Sequence, residues 1–343
     1  MGKKKIPEEG IYDARELGAG RMFVLGFQHM FAMFGATVLV PILTGLDVST
    51  TLLFAGLGTL LFHLITGGIV PAFLGSSFAF LGGYATIAPM IDGQPNKEML
   101  PYACFGVACA GLVYVILSAL FKAFGAKKVM RFFPPIVTGP IIIAIGLNLS
   151  SSAINNCAQN WWIAMVAIVI IIAANIWGKG MIKIIPILLG VIGSYVVAVI
   201  CDASVRETLV QNVSNAKWFA LPIYKEETVF GLLTSGNVDA HLLLTSVITI
   251  VPLSLATMVE HIGDISAISS TCNRNYIENP GLHRTLMGDG LATTLAALFG
   301  APANTTYGEN TGVLALSKIY DPRVIRIAAI LAMCFSFSPK FAA

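Results

Sequence analysis

The stretch Ala301-Pro-Ala-Asn-Thr-Thr-Tyr-Gly-Glu-Asn-Thr-Gly-Val313 is a polar interruption between two strongly apolar segments. Pro302 and Gly308 break a helix, and Asn304, Thr305 and Thr306 supply an amide and hydroxyls. Glu309 puts a carboxylate where its flanks predict hydrocarbon. In lipid, irregular backbone is tolerated only where protein buries it or where it lines a cavity, and an ionisable group at that depth marks function. The stretch therefore reads as a binding site inside a membrane.

The rest of the chain agrees. Of its 343 residues 56% are hydrophobic and only 11% charged, which takes it out of the soluble class; mean hydropathy is +0.80. Apolar runs long enough to cross a hydrocarbon layer of about 30 Å recur along the chain. They predict spans near 22–43, 52–68, 70–91, 100–121, 134–151, 161–177, 183–201, 241–263, 283–300, 303–317 and 324–343. Threaded from a cytoplasmic N-terminus, these leave only Lys97, Arg206, Lys217 and Lys225 outside, with Lys340 near the outer end of the last span. The other Lys and Arg residues fall inside, the asymmetry expected of a multi-pass protein in that orientation. Lys3 to Lys5 precede an apolar stretch too long for a signal peptide, so it reads as the first membrane helix.

A second interruption echoes the first. Ile69-Val-Pro-Ala-Phe-Leu-Gly-Ser-Ser-Phe-Ala-Phe80 has Pro71-Ala72 followed by Ser76-Ser77-Phe78, against Pro302-Ala303 followed by Thr305-Thr306-Tyr307. Gln28-His29 in the first span is echoed by Glu260-His261 in the eighth, and Gln28 to Ser77 and Glu260 to Glu309 are both 49 residues. Two halves that each carry an interrupted span at a corresponding place are the sequence mark of an inverted-repeat transporter. The fold expected is all-α, with two short extended segments in broken helices 3 and 10.

Four carboxylates, Glu260, Asp264, Asp289 and Glu309, lie at apparent membrane depth with no Lys or Arg deep in a span to pair with them. Each costs about 2.5–3.5 kcal/mol to insert uncompensated, so each needs donors, water or a proton. Glu260 and Asp264 are four apart on one helix face and compete for a proton, as a proton-coupling pair does. The sequence has no zinc-protease, nucleophile-elbow or phosphate-loop motif, and its six cysteines show no paired metal spacing. An enzyme, a metal, a cofactor and a nucleic-acid partner are accordingly not expected. Binding followed by transport fits, with helix ends and carboxylates offering donors and acceptors to a small ligand, and with Phe78 and Tyr307 able to hold a flat ring.

These strings resemble the nucleobase-ascorbate transporter family, and within it the bacterial uracil permease branch. The resemblance covers essentially the whole chain and rests on Gln28 to Pro41, Pro71 to Phe80, Glu260-His261-Ile-Gly263, Asn279 to Arg284, and Asn304 to Asn310. The family signature stands here as Glu309-Asn310-Thr-Gly312 and then Ser317-Lys318, with Ser317 in place of the usual Thr. The resemblance implies a symporter that imports uracil with protons by an elevator-like movement. In it, Glu260 and Glu309 accept from ring N–H groups, backbone amides near Phe78, Tyr307 and Gly308 meet the carbonyls, and Ser77 supports the extended segment. Glu260 and Asp264 would couple protons, and Gln28, His29, Asp289 and Asn310 would form the supporting polar network.

Asp264 and Asp289 stand where the uracil pattern has His and Asn, so a purine or xanthine symporter is the alternative, followed by an anion exchanger or channel of similar fold. The resemblance further implies fourteen spans in two inverted sets of seven, a bacterial cytoplasmic membrane and a homodimer at full length. About eleven spans are present, and on that ground the polypeptide alone is expected to transport poorly. The expected organisation is a tail at 1–21, a core domain at 22–125 and 241–343, a first gate half at 126–202 and an extracellular loop at 203–240.

Overall fold

Asp47 opens the second long helix by accepting from the Thr50 amide at 2.6 Å, and Gly45, left-handed at φ 82°, closes the first by donating to Pro41. Such local signals divide the chain in this computed structural model, which describes residues 10–91, 93–129, 131, 140, 143–144, 147, 150, 153–179, 182, 185–236 and 238–342. In order come α1 (Ala19–Thr44), α2 (Val48–Ile65), β1 (Leu74–Ser76), α3 (Leu81–Ile87) and α4 (Leu100–Phe124). There follow α5 (Trp161–Trp177), α6 (Pro186–Cys201), α7 (Ala203–Asn215), α8 (Ala240–Ile250), α9 (Ser254–Thr271) and α10 (Leu282–Leu298). Next come β2 (Asn304–Thr306), α11 (Gly308–Ser317) and α12 (Pro322–Ser336), followed by a short turn of helix at Pro339–Ala342. Among the described residues α1, α2, α4 and the run Ala240–Thr271 are long and apolar enough to cross a membrane.

The protein is an all-α polytopic membrane protein whose third and tenth spans are broken, each by a three-residue strand. Its repeats interlock. The most extensive helix packing is α10 along α4, and the corresponding pair from the other repeat, α12 along α2, is next. Glycines set the close approach in both: a Cβ on Gly290 would stand 2.6 Å from the Gly111 carbonyl, and one on Gly56 would stand 2.6 Å from that of Ala329. Helices α2 and α10 also pack on each other, so the two strands are enclosed on that side.

Three boundaries differ from expectation. The eighth span does not stop at 263: it turns at Val251–Leu253 around Pro252 and runs on to Thr271. Hydropathy falls at Gly263-Asp264 because that face turns inward, while the backbone ladder continues. The stretch 203–240 is not simply loop, since it contains α7 and a short helix Val229–Thr234. Within the expected tail, residues 11–14 are docked: Ile11 bridges Ile319, the Tyr12 hydroxyl donates to Cys272 at 2.7 Å, and the Ala14 amide donates to Asp321 at 2.7 Å. The expected fifth span, 134–151, lies largely outside the described residues.

Candidate functional site

The two breaks meet. β1 and β2 pair antiparallel, with Leu74 opposite Thr306, Gly75 opposite Thr305 and Ser76 opposite Asn304. Flanking bonds from Ser77 N–H to Ala303 (2.9 Å) and from Tyr307 N–H to Phe73 (3.1 Å) extend the ladder at both ends. A two-stranded ribbon this short does not hold itself together, and here side chains from neighbouring helices fix it. Thr59 of α2 accepts from the Leu74 amide at 2.9 Å, and Thr293 of α10 donates to the Asn304 carbonyl at 2.6 Å. Each repeat thus holds the first residue of its own strand with a threonine from the preceding helix. His63 Nε2 donates to the Ala72 carbonyl at 3.0 Å, and Asn304 donates to the Phe54 carbonyl at 2.6 Å.

A further tie comes from a proline. Pro41 lies in the last turn of α1 and has no N–H to give the carbonyl four residues back, which is that of Thr37. Ser76 Oγ donates to that carbonyl at 2.9 Å. The helix end therefore supplies β1 with an acceptor that an unbroken ladder would have used.

Beyond each strand a helix begins with its amides facing the crossing. Phe78–Phe80 forms a 3₁₀ turn leading into α3, with Ser77 as its cap, and Phe78 is half-buried. α11 begins at Gly308 with no side-chain cap, so its first amides have no partner from the chain's side chains. Gly308 and Glu309 are exposed, whereas residues 301–307 are all buried. The Tyr307 ring is buried and its hydroxyl donates to the Ser76 carbonyl at 2.7 Å.

The acidic residues gather around β2. Thr306 Oγ1 donates to Asp264 at 2.8 Å and lies 3.3 Å from His261 Nδ1, from which it can accept. That same nitrogen stands 3.1 Å from Asp289 Oδ2, both side chains being fully buried. One hydroxyl thus connects α9 to β2, and the imidazole lies against Asp289 of α10, whose two carboxylate oxygens are buried without a hydrogen-bond partner. Glu260 lies within electrostatic reach of Asp289 and Glu309, and neither Glu260 nor Glu309 has an ion-pair partner among the described residues. His29 and Asn310 form a second polar group: the Asn310 amide donates to both the His29 carbonyl and its Nδ1 at 3.1 Å. Gln28 is buried beside it.

Glu309 also lines a cleft of about 220 Å³ between α1, α11 and α6, with Phe31, Gly35, Pro186 and Gly312 among its walls. No group of three metal-binding side chains is present among the described residues. The residues that sequence reading passed over are Thr59, His63, Thr293 and the pair Thr37/Pro41. For Pro41 the signal was available, since a proline near a helix end always frees the carbonyl four residues earlier. A mid-helix threonine carries no such mark.

A model of the Permease family, Xan_ur_permease, matches residues 20–343. The chain is 39% identical over 333 residues to the uracil permease of Bacillus caldolyticus, covering 94% of this chain and 73% of that one. It is 38% identical over 358 residues to the uracil permease of Bacillus subtilis (strain 168), covering 100% and 77%. It is 37% identical over 351 residues to the putative pyrimidine permease RutG of Escherichia coli (strain K12), covering 99% and 75%. Among solved structures, the transmembrane domain of the cyanobacterium bicarbonate transporter BicA matches 97% of this chain and 88% of that one at a TM-score of 0.63, with 14% identity. That likeness speaks to the fold alone.

Proposed function

This chain belongs to the Permease family, and on that premise we propose that it is a symporter carrying uracil into the cell together with protons. The observation that carries the reading is the crossing of the two broken spans, where uncapped helix amides stand near two carboxylates without ion-pair partners. Uracil has ring N–H groups for Glu260 and Glu309 and carbonyls for the amides near Phe78, Tyr307 and Gly308. The names of the relatives point to the same substrate class. Phe78, half-buried at the mouth of the crossing, packs against the ring in this reading, and Ser77 keeps the segment extended.

Protons are assigned to Glu260 with Asp264, and Gln28, His29, Asp289 and Asn310 hold the site in shape. The core comprises 22–125 and 241–343, and the gate begins within 126–202. Among the described residues, helices α5 and α6 pack on each other and α6 packs on α1 of the core, which supports sliding of the core past the gate. The proposed setting is the bacterial cytoplasmic membrane with the N-terminus inside, and the proposed assembly is a homodimer.

Asp264 and Asp289 favour a purine carrier as the second reading. Against it, Asp264 accepts from Thr306 and Asp289 stands 3.1 Å from His261, so both acids face protein groups rather than an open cavity. An anion exchanger fits four intramembrane carboxylates poorly. Calorimetric titration of the purified protein with uracil and with xanthine, repeated between pH 5 and 8, tests the proposal. Uracil binding that responds to pH is the expected result; preference for xanthine, or no binding of either, overturns it.

A further inference from the structure

We propose that Arg284 and Arg326 form a binding site for a phosphate-type oxyanion, supplied by a lipid headgroup or by free phosphate. Helix α2 ends in the turn Thr66-Gly67-Gly68, whose glycines are left-handed at φ +69° and +66°. A methyl on Gly68 would stand 3.5 Å from Arg326 Nη2, and one on Gly67 would stand 4.0 Å from Arg284 Nη1. Two guanidinium groups therefore cover one turn, Arg284 reaching it from the first turn of α10 and Arg326 from the second turn of α12.

Neither arginine makes a hydrogen bond or an ion pair with a described residue. Their neighbour shows the contrast: Arg323 binds Asp13 at 2.9 Å and Asp321 at 3.2 Å. Arg326 Nε is buried without an acceptor, an arrangement that costs free energy unless something supplies one. The amides of the turn cannot attract the ligand, since Gly67 donates to Leu64 and Gly68 to His63. What remains is a pair of planar forks, whose geometry matches the paired oxygens of a phosphate. The turn lies where α2 ends and α10 and α12 begin, the level of headgroups for helices that span the layer. The competing account has both arginines complementing the carbonyl end of α2. On that account no anion is bound.

The test uses the purified full chain, delipidated in a neutral detergent, with native mass spectrometry of added phosphatidylglycerol and of diacylglycerol, and a thermal-shift titration with inorganic phosphate. Arg284→Gln/Arg326→Gln is compared with wild type and with Arg206→Gln, which lies on another connection. A juxtamembrane arginine contributes roughly fivefold to anionic lipid affinity, so the double substitution is expected to weaken binding by roughly 25-fold. Loss of phosphatidylglycerol binding identifies a lipid headgroup, and loss of a phosphate-induced shift identifies a free anion. Should the double variant fail to elute as a folded species, the exposed Arg284→Gln alone is read, with a roughly fivefold loss expected. The proposal is overturned when wild type binds neither anion, when it holds diacylglycerol as well as phosphatidylglycerol with no phosphate response, or when the arginine variants bind as wild type does.

Discussion

Tyr307 donates its hydroxyl to the Ser76 carbonyl at 2.7 Å, so the residue that follows β2 locks the far end of β1. Its ring lies over Gly75, where an added Cβ would meet Tyr307 Cε2 at 2.7 Å and Thr37 Oγ1 at 2.6 Å. Gly75→Ala must therefore push the strands or the ring apart. We expect it to lower the unfolding midpoint in detergent more than Tyr307→Phe, which removes one buried hydrogen bond worth about 1 kcal/mol. Equal midpoints for Gly75→Ala and wild type would show that the crossing is looser than its contacts imply.

The threonines from α2 and α10 act on different backbone groups, which separates their expected effects. Thr59→Val leaves the buried Leu74 N–H without its acceptor, at a cost of about 1–3 kcal/mol. Thr293→Ser keeps the donor to Asn304 and should cost about 1 kcal/mol or less, from the lost methyl. Chemical unfolding of the two variants checks the order, and a more damaging serine contradicts the hydroxyl account.

Substitution of the two carboxylates bears on the proposed ligand contacts. Glu260→Gln and Glu309→Gln keep shape but replace a charged acceptor, so uracil affinity should fall roughly ten- to a hundredfold in calorimetry. Cys157→Ala, within the helix Ala153–Gln159, should be nearly silent. Wild-type affinity in the Glu260 variant removes that residue from the site.

Much of this arrangement is legible in the residues themselves. Pro71 and Pro302 announce two breaks, the matched 49-residue spacing relates them, and the strands do pair where the prolines lead. Polar residues inside apolar runs also stand out, and Asp264, Asp289, His261 and Thr306 meet in one network. What the sequence conceals is which ordinary polar side chain faces a strand: Thr59 and Thr293 look like any threonine in a membrane helix. Helix ends were misplaced where chemistry and hydropathy diverge, as at Asp264, because hydropathy reports average solvent and the helix ladder does not depend on it. The docked segment 11–14 was hidden because its partners, Cys272, Ile319 and Asp321, lie more than 250 residues away.

That docked segment carries a pH dependence. Hydrogen bonds from Arg15 hold the Asp13 carboxyl far below the ordinary carboxylate value of 3.8, with the charge of Arg323 acting in the same direction. The unfolded chain takes up this proton first as pH falls. Stability from Asp13 is therefore complete above about pH 4 and fades as pH drops further toward the folded-state value. Both groups are largely solvent-screened, so the effect should be small. In unfolding midpoints measured from pH 7 to pH 3, wild type should lose slightly more than Asp13→Asn; parallel curves would mean that the clasp contributes nothing.

The link between Pro41 and Ser76 gives the sharpest test, because two substitutions should partly cancel. Ser76→Ala removes the donor to the Thr37 carbonyl, leaving a buried acceptor that α1 cannot satisfy while residue 41 lacks an N–H. The expected cost is about 1–3 kcal/mol. Pro41→Ala restores that N–H, so the helix itself can close on Thr37 and compete with the serine. In the Pro41→Ala background, Ser76→Ala should therefore cost less than it does alone. A double-mutant cycle built on unfolding free energies measures the difference, with a coupling of about 0.5–3 kcal/mol expected for groups sharing one acceptor. Strict additivity would mean that the two residues do not communicate through Thr37, and that the serine reaches α1 without need of the proline.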